Sequence, residues 1–200
     1  MDNRKLLILD NDETLTHTIH LPDSPYVDQI ASDEFSYDFK FTLREGAWSS
    51  PKHRYFTKKR PFLKEFMDYA FDNFRVAIWT AADMDYARTI MNNCNIPSSK
   101  LLFFWAKDMC AIKEYNDGGY YGEKNIKKIR RSFGIDLKDI LIVDDVAETA
   151  VDNPDNLIKI NPFRYQSNDT ELLKLMSYLE KIKELPDFRK VEKRGWSNKS

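Results

Sequence analysis

Four carboxylates and one hydroxyl stand at or just beyond the ends of short apolar runs, and their types suit phosphate chemistry. They are Asp10, Asp12, Thr80, Asp144 and Asp145. A carboxylate can attack phosphorus and form an aspartyl-phosphate. A second acid two residues along the chain can protonate the leaving oxygen and afterwards activate water. The pattern therefore points to phosphoryl transfer.

The clustering of these acids also predicts a metal ion. Unpaired acids that pack together repel one another, and their pKa values rise. A hard divalent cation removes that cost, and Mg²⁺ prefers oxygen ligands. Lys124 begins a helical pattern that leads into the run before Asp144, so its cation can reach the same place. Mg²⁺ and Lys124 would neutralise charge on the phosphoryl oxygens, and Thr80 would donate a hydrogen bond to them.

The apolar runs predict the strands of a parallel sheet. They cover residues 6–9, 74–79, 101–105, 140–143 and 157–160. Short continuous runs of this kind are typical of strands that are buried on both faces. Amphipathic helical patterns alternate with them, which predicts an α/β fold, a Rossmann-like three-layer sandwich. Ligands bind beyond the carboxyl ends of such strands, so the acids should share one edge of the sheet.

Two small β elements are expected beside this sheet, and no large cap domain. Residues 16–59 predict a β insert, because apolar and polar residues alternate from Phe35 to Leu43 and Tyr55 with Phe56 suits a partner strand. We interpret the apolar face of this insert as core rather than as a substrate pocket. Turn residues at 116–119 predict a second hairpin. We expect one domain over residues 1–185 and a flexible tail over 186–200.

Composition limits the class of protein. Hydrophobic residues make up 42% of the 200 residues, which is too many for a disordered chain. Lys plus Arg number 31 against 32 for Asp plus Glu, so no overall charge attracts nucleic acid or membrane. The two cysteines lack metal-binding spacing, which favours a reducing compartment, and no stretch is long enough to span a membrane. We expect a monomer in the cytoplasm, or in the nucleus of a eukaryote, and not a secreted protein.

A series of short motifs, in order from about residue 6 to residue 163, resembles one family. The series resembles the haloacid dehalogenase phosphatases, and more narrowly the branch that dephosphorylates the C-terminal domain of RNA polymerase II, the NLI-interacting-factor-like phosphatases. The motifs are Asp10–Leu15, Lys59–Pro61, Ile78–Ala81, Lys107–Cys110, Lys124–Ile126, Leu141–Asp145 and Asn153–Asn156. Two positions depart from the usual pattern, since Asn11 replaces an apolar residue and Asp145 replaces an asparagine.

The resemblance implies a role for each matching residue. Asp10 would be the nucleophile, and Asp12 the general acid and base. The phosphate would be bound by Thr80, Lys124 and Arg60, with Lys124 also counted among the catalytic residues. Mg²⁺ would be held by Asp10, the backbone carbonyl of Asp12 and Asp145, with Asp144 close behind. Asp145 in place of asparagine adds a negative charge beside the metal.

Other functions use part of the same residue pattern. A response-regulator receiver uses similar groups, but its acid pair belongs to the first strand and here the pair comes last. An inactive phosphate-binding scaffold would not need every chemical position to be filled. An uncapped site favours a phosphate on a macromolecule, such as a phosphoserine or phosphothreonine protein. The alternatives are nucleotides, nucleic-acid ends and small metabolites, and no basic field supports a nucleic-acid partner.

Overall fold

A five-stranded parallel sheet forms the centre of the computed structural model, which describes residues 4–22, 24, 27–34, 36–44, 52–115 and 118–198. Numbered in chain order, its strands are β1 (Leu6–Leu9), β5 (Arg75–Trp79), β6 (Leu101–Trp105), β9 (Ile140–Asp144) and β10 (Leu157–Lys159). The strand order is β10-β9-β1-β5-β6, and every pair is parallel. All five strands predicted from the apolar runs are therefore present, with small differences at their ends.

Helices cover both faces of this sheet and make it a three-layer α/β sandwich, as predicted. They are α2 (Leu63–Asn73), α3 (Met84–Asn93), α4 (Lys127–Phe133) and α5 (Glu171–Ile182). Alternate residues of β1 point to opposite faces, so Leu7 packs with the α2 and α5 side, and Ile8 packs with the α4 side. Burial on both faces explains why the strands are continuous apolar runs. Of the described helices, none combines the length and the apolar character that crossing a bilayer requires.

The insert after β1 is a separate three-stranded antiparallel sheet with one helix. Its elements are β2 (Thr16–Pro22), α1 (Val27–Glu34), β3 (Phe39–Arg44) and β4 (Lys52–Lys59), with the strand order β2-β4-β3. Phe41 lies opposite Tyr55, which confirms the predicted partner strand. The helix α1 was not predicted, and Phe35 lies outside the described residues.

The predicted core role of the apolar stripe in the insert holds for Tyr37 but not for the whole of β3. The small core of the insert contains Phe56 with Val27 and Ala31 of α1, and Tyr37 packs against it. Phe39 and Phe41 are half-buried on the face of β3 that points away from Phe56. A period of two shows that one face of a strand is apolar, but it does not show which element covers that face.

The second insert is the hairpin of β7 (Ala111–Glu114) and β8 (Tyr120–Glu123). The pairing of Glu114 with Tyr120 agrees with the hairpin predicted at 116–119, although Asn116 and Asp117 lie outside the described residues. Neither insert is a large cap domain. Among the residues that the structure describes, no cap of that size covers the carboxyl edge of the parallel sheet, as the sequence predicted.

Residues 186–198 lie in the segment that the sequence predicts as a flexible tail, and two of their aromatic side chains are buried. Phe188 is fully buried in the main core, and Trp196 is nearly so. The indole Nε1 of Trp196 donates a hydrogen bond to the backbone oxygen of Lys159, 2.7 Å away. These two aromatic side chains anchor a segment whose charged neighbours had suggested disorder.

Candidate active site

Three carboxylates meet at the carboxyl edge of the parallel sheet. β1 and β9 are paired in register, with Leu9 opposite Val143, so the residues that follow them lie side by side. One ligand oxygen from each of Asp10, Asp144 and Asp145 lies within 4.8 Å of the other two. The structure therefore brings together three of the acids selected from the sequence. Oxygen donors this close suit a hard cation such as Mg²⁺.

Lys124 lies between two of these carboxylates. It follows β8 directly and precedes α4, so it does not begin the helix as the sequence suggested. Its Nζ lies 2.6 Å from Oδ1 of Asp10 and 2.6 Å from Oδ2 of Asp144, and only 1% of the residue is exposed. Burial alone would lower the pKa of Lys124, but the carboxylates of Asp10 and Asp144 outweigh it and raise that pKa. The ammonium group therefore stays charged beside Asp10.

Both oxygens of the Asp144 carboxylate accept hydrogen bonds from protein donors. Its Oδ1 accepts the backbone N–H of Val146 at 2.9 Å. Its Oδ2 accepts the hydroxyl of the buried Thr149 at 2.9 Å, in addition to Lys124. Sequence reasoning missed Thr149, because a threonine in a turn after a strand carries no signal of its own. Asp144 therefore contacts Lys124 through Oδ2, while its Oδ1 has one described donor.

Asp145 is the freer member of the acid pair. It is only partly buried, and its described side-chain hydrogen bond comes from the hydroxyl of Thr14 at 3.3 Å. Burial, with a smaller contribution from the charge of Asp144, raises the pKa of Asp145 to about 6. Burial likewise raises the pKa of Asp10, and the ammonium of Lys124 opposes this shift. The three acids of this cluster face one ammonium group, that of Lys124, which leaves a net negative charge. A divalent cation would balance that charge, so these residues fit Mg²⁺.

Asp12 lies in a tight loop beside this cluster. The backbone oxygen of Asn11 accepts the N–H groups of Leu15 at 2.8 Å and of Thr16 at 3.1 Å, which closes the loop. Oδ1 of Asp12 accepts a hydrogen bond from the hydroxyl of Tyr86 at 2.6 Å. Burial raises the pKa of Asp12, and the Tyr86 hydrogen bond partly opposes the shift. A raised pKa suits a carboxyl group that must give up a proton.

Thr80 lies at the end of β5 and is buried. Its backbone N–H donates to the oxygen of Trp105, which continues the pairing of β5 with β6. Its Oγ1 accepts the backbone N–H of Ala82 at 3.1 Å. Among the described contacts the Thr80 hydroxyl accepts and does not donate, so it can still donate to a phosphoryl oxygen.

Arg60 does not have the surroundings of a phosphate ligand, in contrast to the role that the resemblance implied. The side chain is fully buried, and its guanidinium forms a two-point ion pair with Asp169 at 2.9 and 3.0 Å. It also donates to the backbone oxygens of Thr14 at 3.0 Å and Asn161 at 2.8 Å. Arg60 therefore holds the Asp12 loop against the segment before α5.

An aromatic group connects the insert to Asp12. Phe41 and Tyr55 stack with their ring centroids 5.0 Å apart, and Tyr86 packs against both rings at 5.9 and 5.4 Å. Tyr86 belongs to α3, and its hydroxyl reaches Asp12. The apolar stripe of β3 therefore lies beside the acid, a position that the sequence pattern did not reveal.

The site combines three features of a parallel sheet. An Asp-x-Asp loop follows the first strand, an acid pair follows a later strand, and a lysine lies between Asp10 and Asp144. This combination defines a phosphatase of the haloacid dehalogenase type. A family model supports the narrower assignment, since residues 5–189 match the NLI interacting factor-like phosphatase family. The chain belongs to that family.

Relatives agree with this assignment. The CTD phosphatase-like protein 355R of Invertebrate iridescent virus 3 shares 36% identity over 138 residues, which cover 62% of this chain and 73% of the viral protein. The CTD small phosphatase-like protein 2 of Dictyostelium discoideum shares 32% over 183 residues, which cover 92% of this chain but 28% of that protein. A solved structure of the fission yeast RNA polymerase II CTD phosphatase Fcp1 superposes with a TM-score of 0.61 at 22% identity, over 92% of this chain and 52% of the other. That likeness shows the shared fold, and the chain spans well under two thirds of the last two proteins.

Proposed function

We propose that this chain is a Mg²⁺-dependent phosphomonoester hydrolase that works through an aspartyl-phosphate on Asp10. One observation carries the proposal above the others. The ammonium of Lys124 is buried 2.6 Å from Oδ1 of Asp10, at the edge where a carboxylate nucleophile would meet phosphate. A buried cation in contact with the nucleophile is placed to neutralise the incoming phosphoryl group.

In the first step, a carboxylate oxygen of Asp10 attacks phosphorus, and the bond from phosphorus to the leaving oxygen breaks. Asp12 gives its proton to that leaving oxygen, so the alcohol departs neutral. Lys124 and the hydroxyl of Thr80 bind oxygens of the transferred group. Mg²⁺ would be held by Asp10, the backbone carbonyl of Asp12 and Asp145. When bound, it would neutralise negative charge on the same phosphoryl oxygens.

In the second step, water attacks the phosphorus of the aspartyl-phosphate. Asp12, now ionised, takes a proton from that water, and the bond from phosphorus to the Asp10 oxygen breaks. Inorganic phosphate leaves, the Asp10 carboxylate is restored, and Asp12 is again protonated. Protons and bonds therefore balance over one cycle without a further reactant.

We further propose that the substrate is a phosphoserine or phosphothreonine protein, encountered in the cytoplasm or, in a eukaryote, in the nucleus. No large cap covers the site in the described part of the chain, which supports access for a phosphate that projects from a macromolecule. The half-buried aromatic face of the insert lies beside Asp12 and offers apolar contacts to a peptide. A screen of phosphopeptides, nucleotides and phosphorylated oligonucleotides tests this choice. Preference for either of the latter two classes would contradict it.

The metal assignment predicts that activity disappears on chelation and returns when Mg²⁺ is added. Asp145→Asn should shift the Mg²⁺ titration less than Asp145→Ala, because an amide oxygen can still bind the ion. The pKa of Asp145 near 6 adds a pH dependence. Below that pH the proton competes with the metal, so the wild type should need more Mg²⁺. Activity measured against Mg²⁺ concentration checks each point, and full activity of metal-stripped protein in excess chelator would reject the site.

The assignment of Asp12 as general acid predicts that its replacement lowers kcat/KM by different factors on different substrates. Asp12→Asn should lower kcat/KM on an alkyl phosphate by about 10²–10⁴-fold, because an amide cannot protonate the leaving oxygen. The loss should be smaller on an aryl phosphate, whose leaving group needs little help. The phosphoenzyme should then accumulate, since water lacks its base, and rapid quench with mass spectrometry would detect phosphate on Asp10. Equal losses on both substrates without a phosphoenzyme would reject the acid and base role.

A further inference from the structure

We propose that Tyr86 is a positioning residue that determines which oxygen of Asp12 delivers the proton. The inference rests on the proposed role of Asp12 as general acid and goes one step further. It assigns a function to a residue on α3, in a different part of the chain from the Asp12 loop.

The contact between Tyr86 and Asp12 is short and directional. The hydroxyl of Tyr86 donates to Oδ1 of Asp12 at 2.6 Å. In a protonated carboxyl group the carbonyl-type oxygen is the better acceptor, so this hydrogen bond leaves the proton on Oδ2. Tyr86 therefore fixes both the rotation of the carboxyl group and the oxygen that presents the proton.

The hydroxyl can do this because its ring is held on the insert side. The ring of Tyr86 packs against Tyr55 and Phe41, which stack on one another across β4 and β3. Tyr55 is itself almost fully buried. A ring confined in this way places its hydroxyl with little rotational freedom, and small displacements of catalytic groups are costly.

The described hydrogen bond of the Tyr86 hydroxyl runs to Asp12 and not to a residue assigned to phosphate binding. Tyr86 therefore acts on the reaction only through Asp12.

This arrangement gives the insert a part in the chemistry. The β3 and β4 strands do not contribute an acid, a base or a phosphate ligand among the residues assigned above. They hold the ring that orients the acid, so packing within the insert affects the step that expels the leaving group. A purely structural tyrosine would affect all substrates to the same extent.

The test measures kcat/KM for a series of phosphate monoesters whose leaving groups differ in pKa. Tyr86→Phe keeps the ring contacts and removes the donor. We expect a loss of about 10–10²-fold on an alkyl ester, and of about threefold or less on an aryl ester with a good leaving group. The plot of log kcat/KM against leaving-group pKa should therefore become steeper than in the wild type. Because the slope compares substrates on one protein sample, a partly unfolded sample does not change it.

Tyr69→Phe is the matched control. Tyr69 also donates to a carboxylate, that of Glu180 at 3.0 Å, but on α2 and outside the site. The slope of log kcat/KM against leaving-group pKa for Tyr69→Phe should equal that of the wild type. A wild-type slope in Tyr86→Phe together with a steep slope in Asp12→Asn would overturn this inference and leave the role of Asp12 intact. A wild-type slope in Asp12→Asn would overturn the acid assignment and this inference with it.

Discussion

Asp10→Asn should reduce turnover by about 10⁴-fold or more while the protein stays folded. The amide is a poor nucleophile, so the aspartyl-phosphate cannot form. The fold should tolerate the change, because the amide has nearly the size of the carboxylate and Lys124 keeps its second partner, Asp144. Steady-state phosphate release measures the loss, and thermal melting followed by circular dichroism measures the stability.

Asp152→Asn is the matched control for this change. Asp152 is an exposed acid whose nearest described cation, Lys127, is 3.9 Å away, so its removal should leave turnover unchanged. Phosphate trapped on residue 10 of the wild type, and absent from Asp10→Asn, would support the covalent step directly. Retained turnover in purified, folded Asp10→Asn protein would reject the mechanism.

Arg60→Met should lower the free energy of unfolding by about 3–5 kcal/mol. The change removes a buried guanidinium and leaves the carboxylate of Asp169, whose side chain is only 9% exposed, without its partner. It also leaves the backbone oxygens of Thr14 and Asn161 without that donor. Urea unfolding at neutral pH measures the effect.

Arg88→Met provides the comparison, because Arg88 forms an exposed pair with Asp85 at 3.8 Å. Its removal should change stability by less than about 0.5 kcal/mol. Arg60→Met combined with Asp169→Leu should recover part of the loss, since the second change removes the uncompensated charge. If Arg60→Met lost no more stability than Arg88→Met, the proposed structural role of Arg60 would be wrong.

The sheet and the position of its acids could be predicted because both follow from local patterns. A run such as Leu6–Leu9 is apolar throughout because both faces of β1 are buried, and the polar residue after it must lie at the sheet edge. The parallel pairing of β1 with β9 then places Asp10 beside Asp144. The strands and their shared edge follow from the sequence, whereas the pairing of β1 with β9 is seen only in the structure.

The surroundings of Arg60 and Tyr86 could not be predicted in the same way. Arg60 has five donors, and only the tertiary arrangement decides that they meet Asp169 and two carbonyls instead of phosphate. Tyr86 is 74 residues from Asp12 in the chain, and the contact depends on how α3 packs on the insert. Neither a helical period nor a strand period encodes such a contact.

The position of Trp196 affects how readily copies of the protein can aggregate through an edge of the sheet. β10 is an outermost strand of the parallel sheet, and such a strand presents unpaired backbone groups that another chain can join. The indole of Trp196 donates a hydrogen bond to the backbone oxygen of Lys159 on that strand, and the Trp196 ring is buried. The C-terminal segment thus shields an exposed edge and opposes strand-to-strand aggregation of the folded protein.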